Sequence, residues 1–295
     1  MKRFLFFILA VSVCFGLVSC TRPVREGAIS PGPVRVEASN GASTSTVESQ
    51  EVQQEVLAFT LAGYTTGGKK KWEVEADSAS LFTTNVIKLD NVRARAWMED
   101  NCVMLTSDVG TFDKATKNAH FEQNVEVTTE DGARLTTDYL DWDAESQIIK
   151  TDSFARVEKD NLTSTGKGML GQPGLSKVRM NKDVTVEVRS DEDPMEAPTV
   201  ITCDGPLEVD YENAIAYFNE NVIVTDRRGK IFADKMDVYI DKATKGISKV
   251  ICIGNVQIRQ DKNETFSQKA VYLADEGKVI LTGNPKLIIY PEELE

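Results

Sequence analysis

Histidine is nearly missing from this chain of 295 residues: His120 is the only one. A lone imidazole leaves no His/Cys cluster for zinc, and no serine or cysteine nucleophile pattern lies near it. The chain contains no G-x-S-x-G, no glycine-rich phosphate loop ahead of a helix and no HExxH. Cysteine is scarce as well. Two of the five fall within the first twenty residues, leaving Cys102, Cys203 and Cys252. Three cysteines without a CxxC spacing form neither a disulfide framework nor a metal site, and on strands they read as small buried hydrophobes. Positive charge is in deficit, with 34 Lys and Arg against 46 Asp and Glu, a formal net charge of −12. A nucleic-acid binder needs clustered cations, so that class is excluded. The short basic runs Lys69–Lys71 and Arg227-Arg228 sit beside glycines and read as solvated turns. No stretch keeps a helical period over three turns, which excludes a helical fold.

Carboxylates are abundant, so pairs of them carry little information. Asp141-Trp142-Asp143 places two aspartates on one face of a strand, the geometry that acid–base hydrolysis would need. A chain this acidic produces many such pairs by chance. The expectation is therefore no enzyme, no metal and no cofactor.

What the chain does have begins at its N-terminus. Lys2 and Arg3 precede an apolar stretch from Phe4 to Leu17, too short to span a bilayer comfortably and built like a secretory signal peptide. Leu17-Val18-Ser19-Cys20 closes it and resembles the lipobox of bacterial lipoproteins. The resemblance implies a signal peptide over 1–19 and acylation of Cys20, which would hold the protein to a membrane without a spanning segment. Removing Lys2 and Arg3 takes the net charge to about −14. Residues 20–55 are rich in Pro, Gly, Ser, Thr and Val and read as a flexible tether.

From Val56 onward one phrase returns. Asn91-Val92, Asn124-Val125, Asn221-Val222 and Asn255-Val256 each open a strand with apolar residues two apart, and Asp183-Val184 marks a further copy. The intervals are 33 residues from Asn91 to Asn124, 34 from Asn221 to Asn255 and 29 from Asn255 to Asn284. A fixed period of this size is the signature of a repeat architecture, here of short antiparallel strands. The Asn before each Val reads as a bulge or corner residue, where a left-handed backbone is tolerated. Asp108, Asp138 and Asp234 recur at matching places and read as architectural. Arg189–Pro198 is a charged, proline-bearing break. The organisation expected is a folded body over 56–190, a linker or loop over 191–198, and a second folded body over 199–295. All of it is β, an elongated repeat-built stack.

Residues 59–81, "FTLAGYTTGGKKKWEVEADSASL", resemble the opening of the LptC family of lipopolysaccharide-transport bridge proteins. The phrases "TDYLDWD" and "ADKMDVYID" are similar to those of the related LptA/OstA family. Together the two patterns cover 56–295. The resemblance implies a β-jellyroll folded like a taco, with an LptC-like first half and an LptA/OstA-like second half. Its apolar trough would carry the acyl chains of lipopolysaccharide across the periplasm towards the outer membrane. Implied partners are lipopolysaccharide, other bridge proteins paired through edge strands, and an inner-membrane ABC-type extractor. Alternation independently nominates the face that lines the trough: Phe59, Leu61, Trp72, Val74, Ala76, Val92, Ala94, Phe112, Val125, Val127, Leu140 and Trp142. Glu73, Glu75, Arg93, Arg95 and Glu126 would then face water. The competing reading is a scaffolding lipoprotein that fills its own interior and binds proteins through its sheet edges, since both give the same alternation.

Overall fold

A computed structural model describes residues 52–82, 85–98, 102–172, 174–189, 197–227, 229–242 and 247–290. The signal peptide, Cys20 and most of the tether lie outside the described residues, as does 191–196 of the expected linker. Every regular element among the described residues is a strand. The chain divides into two compact units. The N-terminal unit runs to Ser153 and includes Gln172, Gly174 and Leu175, while the C-terminal unit holds 154–171 and everything from Ser176 on.

In the N-terminal unit, β1 (Val52–Tyr64), β2 (Lys70–Phe82), β3 (Val86–Trp97), β4 (Cys102–Asp113), β5 (Ala119–Thr129) and β6 (Arg134–Asp143) form an antiparallel meander. The strand β7 (Ile148–Lys159) follows, and the division falls within it. These strands are 10 to 13 residues long, not short as the repeat reading expected. Each repeat is a pair of long strands bent in the middle.

The bend is where the repeated asparagines sit. Asn91, Asn124, Asn221 and Asn255 all have φ between 45° and 53°, and Asp183 stands at φ 51° in the same role. Asn pays little for this left-handed conformation, and its amide finds a carboxylate on the neighbouring strand. Asn91 donates to Asp77 at 3.1 Å, Asn124 to Asp108 at 2.7 Å, Asn221 to Asp204 at 2.6 Å, and Asn255 to Asp234 at 3.0 Å. Asp138 accepts instead from the Ser153 hydroxyl. The apolar residue after each corner is paired with a small one: Val92 with Ser107, Val125 with Thr137, Val184 with Cys203, Val222 with Ala233, Val256 with Ser267. Gly254 completes one corner with φ +76°, and a Cβ there would lie 2.2 Å from an oxygen of Asp234. Only glycine fits that approach.

The corner also shifts side-chain parity. In β3 the buried residues are Ile87 and Leu89, then Val92; in β4 they are Val103, then Phe112; in β6 they are Leu135, then Leu140. The inserted residue keeps the apolar side inward on both halves of the bent strand. Trp72 shows where those halves meet. Its in-sheet neighbours run through Ala96 to Val103, yet its ring lies 6.0 Å from Phe112, beyond the corner of β4. The two halves of the bent sheet therefore face one another across an apolar interior.

The C-terminal unit follows the same rule. It contains the second half of β7, then β8 (Leu162–Gly171), β9 (Lys177–Val188), β10 (Thr199–Cys203) and β11 (Leu207–Asp210). The meander continues as β12 (Ile215–Asp226), β13 (Gly229–Ile240), β14 (Ile247–Gln260) and β15 (Asn263–Leu273), ending in β16 (Lys278–Thr282) and β17 (Lys286–Ile288). Both β10 and β11 lie between β9 and β12, so together they make one strand interrupted at Asp204-Gly205-Pro206. Likewise β16 and β17 both pair with β15. Hairpin turns repeat a carboxylate cap: Asp113 accepts from the Ala115 and Thr116 amides, Asp143 from Ser146, and Asp210 from Asn213. These backbone donors hold all three carboxyls below the usual aspartate range.

Candidate functional site

All twelve nominated residues lie on the inward side of the N-terminal unit, in two tiers. Phe59, Ala76, Val92, Phe112, Val125, Val127 and Leu140 are buried, with Val92, Val125 and Leu140 each only 1% exposed. Leu61, Trp72, Val74, Ala94 and Trp142 are half-buried. Cross-strand pairing joins them into rows: Leu61–Val74–Ala94–Leu105–Val127–Leu135 on one half of the bend, and Leu89–Gly110–Phe121–Leu140 on the other. Leu105, Leu135, Phe121 and Leu89 belong to the same surface and were readable from the same alternation.

The opposite parity carries charge. Arg93 bridges Asp77 at 2.9 Å, Glu126 meets Arg134 at 2.7 Å, and Glu73 meets Lys70 at 2.6 Å. The Arg134 contact holds the Glu126 carboxyl below its ordinary value. These partly exposed pairs contribute little stability each, but they fix which face is wet.

The paired carboxylates are occupied structurally. Asp141 lies 2.6 Å from His120 Nδ1 on the outer face, with Glu122 3.5 Å from Nε2. Asp143 caps a turn. No metal-binding cluster occurs among the described residues. Cys203 is a corner residue and Cys252 is a core residue. Burial pushes their thiols up, to about 11 and about 12.

The C-terminal unit holds a small cavity of about 50 Å³, open to solvent, that alternation alone does not nominate. Its walls include Leu162 and Val186 from one half of the bend, and Leu207, Ala216, Phe218 and Ile240 from the other. Val184 and Val186 are an alternating pair in the sequence, so the aliphatic wall was in principle readable. Lys159 was not. It lines this cavity at 8% exposure, with its ammonium 5.6 Å from the Tyr211 ring centre. Nothing in the local sequence marks a buried cation, because the ring that receives it lies some fifty positions away.

Bent antiparallel strands, an inward apolar face drawn from both halves, and a solvent-open aliphatic cavity define an all-β, jellyroll-like protein with an apolar interior suited to hydrocarbon. Comparison with known families makes this specific. Residues 34–189 match the family described as lipopolysaccharide-assembly, LptC-related, and residues 201–292 match the family described as LptA/(LptD N-terminal domain) LPS transport protein. No individual curated protein matches the chain. The first match spans more than half of the sequence, and the chain belongs to the LptC-related family. It is a component of the periplasmic lipopolysaccharide-transport bridge, whose families bind lipopolysaccharide and contact one another. A scaffold with a filled interior is the less favoured reading. Among the described residues no helix is long and apolar enough to cross a membrane.

Proposed function

We propose that lipopolysaccharide acyl chains lie between the two halves of the bent sheet and pass along the trough towards the outer membrane. The observation that carries this is the continuous inward apolar surface, with parity corrected at every corner. A lipid with several acyl chains faces about 0.8 kcal/mol per CH₂ exposed to water, and an unbroken dry wall removes that cost along the path. The half-buried Leu61, Trp72, Val74, Ala94 and Trp142 would meet the chains first. The buried Phe59, Ala76, Val92, Phe112, Val125, Val127 and Leu140 would line the floor as the halves part. Carriage of this kind needs no catalytic group, and the protein acts as a conduit rather than as an enzyme.

In the same reading Cys20 is acylated and tethers residues 56–190 and 199–295, an LptC-like and an LptA-like body, to a membrane. An inner-membrane ABC-type extractor supplies the lipid. The terminal strands β16 and β17, with Leu287 and Ile280 exposed, support pairing with a neighbouring bridge protein through main-chain hydrogen bonds.

A photo-crosslinking amino acid at Val74 or Trp142 in cells should capture lipopolysaccharide, and one at Glu75 or Glu126 should not. Equal capture on both faces, or none on either, would overturn the trough. Intact-mass analysis should find diacylglycerol on Cys20.

A further inference from the structure

The outer face of the C-terminal unit carries a pattern that the trough does not use. Cross-strand register aligns Tyr217, Asp237, Ile251, Val271 and Ile280 in one row across β12 to β16. These are the parity partners of Phe218, Met236, Val250, Cys252 and Ala270, all buried, so the row points outward. Five strands at about 4.8 Å spacing give it a length of roughly 19 Å. Tyr217 is 37% and Ile280 36% exposed, and Ile251 and Val271 are half-buried.

A second row lies on each side of this stripe. One runs Lys235–Ile253–Lys269–Thr282, with Ile253 39% exposed, and the other runs Tyr239–Lys249–Leu273–Lys278. Ile253 lies between two lysines in one row and Leu273 between two in the other, and Lys249 lies over the Tyr239 ring at 4.0 Å. Asp237 is the carboxylate inside the patch, and Asp234, exposed beside Lys235, borders it at the crease, where it accepts from Asn255. Glu276, in the turn before β16, reaches Lys278 at 3.7 Å. On β11 beyond Tyr217, Glu208 and Asp210 are paired with Arg179 and Lys177. Four lysines against Asp237, Glu276 and the bordering Asp234 leave this face with a net positive charge, on a chain whose net charge is −12.

We propose that this face is a docking surface for an anionic lipid bilayer. Charge complementarity selects an anionic occupant, because the rest of so acidic a chain would be repelled by one. The side-chain chemistry selects a bilayer. Lysine stems can lie along apolar surface with their heads at phosphate level, tyrosine suits the headgroup boundary, and separated Ile, Val and Leu side chains insert without a shaped partner. The pattern is amphipathic in the manner of an interfacial helix, but written on a sheet.

The test uses the full chain with an environment-sensitive fluorescent amino acid at Ile251, or at Glu187 as control. Vesicles are phosphatidylcholine alone or phosphatidylcholine with phosphatidylglycerol, each with brominated acyl chains as quencher. The anionic vesicles should blue-shift and quench the Ile251 probe and leave the Glu187 probe unchanged, whatever the N-terminus does. Lys235→Glu with Lys269→Glu should raise the lipid concentration for half-quenching by more than tenfold, since each lysine at an anionic surface is worth about fivefold. Lys235→Gln with Lys269→Gln should give an intermediate shift, with melting temperature confirming the fold of both. No quenching at Ile251 by anionic vesicles would overturn the proposal. So would a shift that follows protein concentration without lipid, which marks self-association. A shift given by poly-glutamate but not by vesicles would also overturn it, since that marks an acidic protein partner.

Discussion

Inside the bend of the N-terminal unit rings stand among the aliphatic side chains: Trp72 against Phe112, with Phe59 and Phe121 buried in the same interior and Trp142 half-buried at its side. The C-terminal unit bends its strands at the same Asn–Asp corners, and among its aliphatic buried residues stand Met169, Met180, Met236, Cys203 and Cys252, with Phe218. The same unit holds the small solvent-open cavity of about 50 Å³ between Leu162, Val186, Leu207 and Phe218. Rigid rings tile an interior, whereas flexible thioethers and small thiols adapt to a volume without fixing it. One corner rule therefore supports two interiors of different side-chain composition.

The sharpest test of this contrast is truncation. Phe121→Ala should cost about 3–5 kcal/mol and Leu207→Ala about 2 kcal/mol, because Leu207 already borders a void. Urea unfolding followed by hydrogen exchange at amides in β5 and β12 would read each. Equal losses would break the comparison.

Alkali should act on one unit more than the other. The Cys203 and Cys252 thiols are raised in the folded state, so the unfolded chain ionises first. Their stabilising contribution is full below pH 9.0 and is lost as pH climbs through about 11 and about 12. Exchange protection in the C-terminal unit should fall across that window, and Cys252→Ala should flatten the decline. A decline unaltered by the substitution would assign it to other groups.

Overpacking runs the contrast in reverse. A Cβ on Gly110 would lie 2.9 Å from Val92 Cγ2, so Gly110→Ala should cost about 1–3 kcal/mol. Ala216→Leu grows into the cavity and should cost less than about 1 kcal/mol, or add stability. Thermal melts of the two variants decide it.

The corners should show no contrast. Asn91→Ala and Asn255→Ala should each lose about 1–2 kcal/mol, from the left-handed backbone and the lost Asp contact. A clear difference between them would mean that the two units do not share one corner. The smallest effect belongs to the corner serines. Ser107 donates to the Val109 carbonyl at 3.0 Å, whereas the buried Ser267 hydroxyl has no hydrogen-bond partner among the described residues. Ser107→Ala should therefore cost about 1 kcal/mol, and Ser267→Ala should be neutral or slightly stabilising.

Much of this was legible in the chain because period and parity are local. The Asn-Val phrases located the corners, and alternation put Val74 and Glu75 on opposite faces before any pairing was known. Strand length was misjudged for the same reason. A left-handed residue in mid-strand reads locally as a break, so one bent strand such as β3 looks like two short ones. The cavity was not legible, because a void depends on what fails to meet across the bend. Lys159 and Tyr211 meet only after folding. The lysine rows of the outer face were equally hidden, since Lys235, Lys249, Lys269 and Lys278 become neighbours only through register.

The Asn–Asp contacts fall in successive strands and form a crease across each unit. A crease built from recurring joints works as a ruler. Inserting or deleting one repeat of about 33 residues changes the lined path by two strand spacings, roughly 10 Å, without disturbing the joints on either side. The length of hydrocarbon a unit can shelter is then set by counting repeats, and evolution can change it in whole steps while every local contact stays the same.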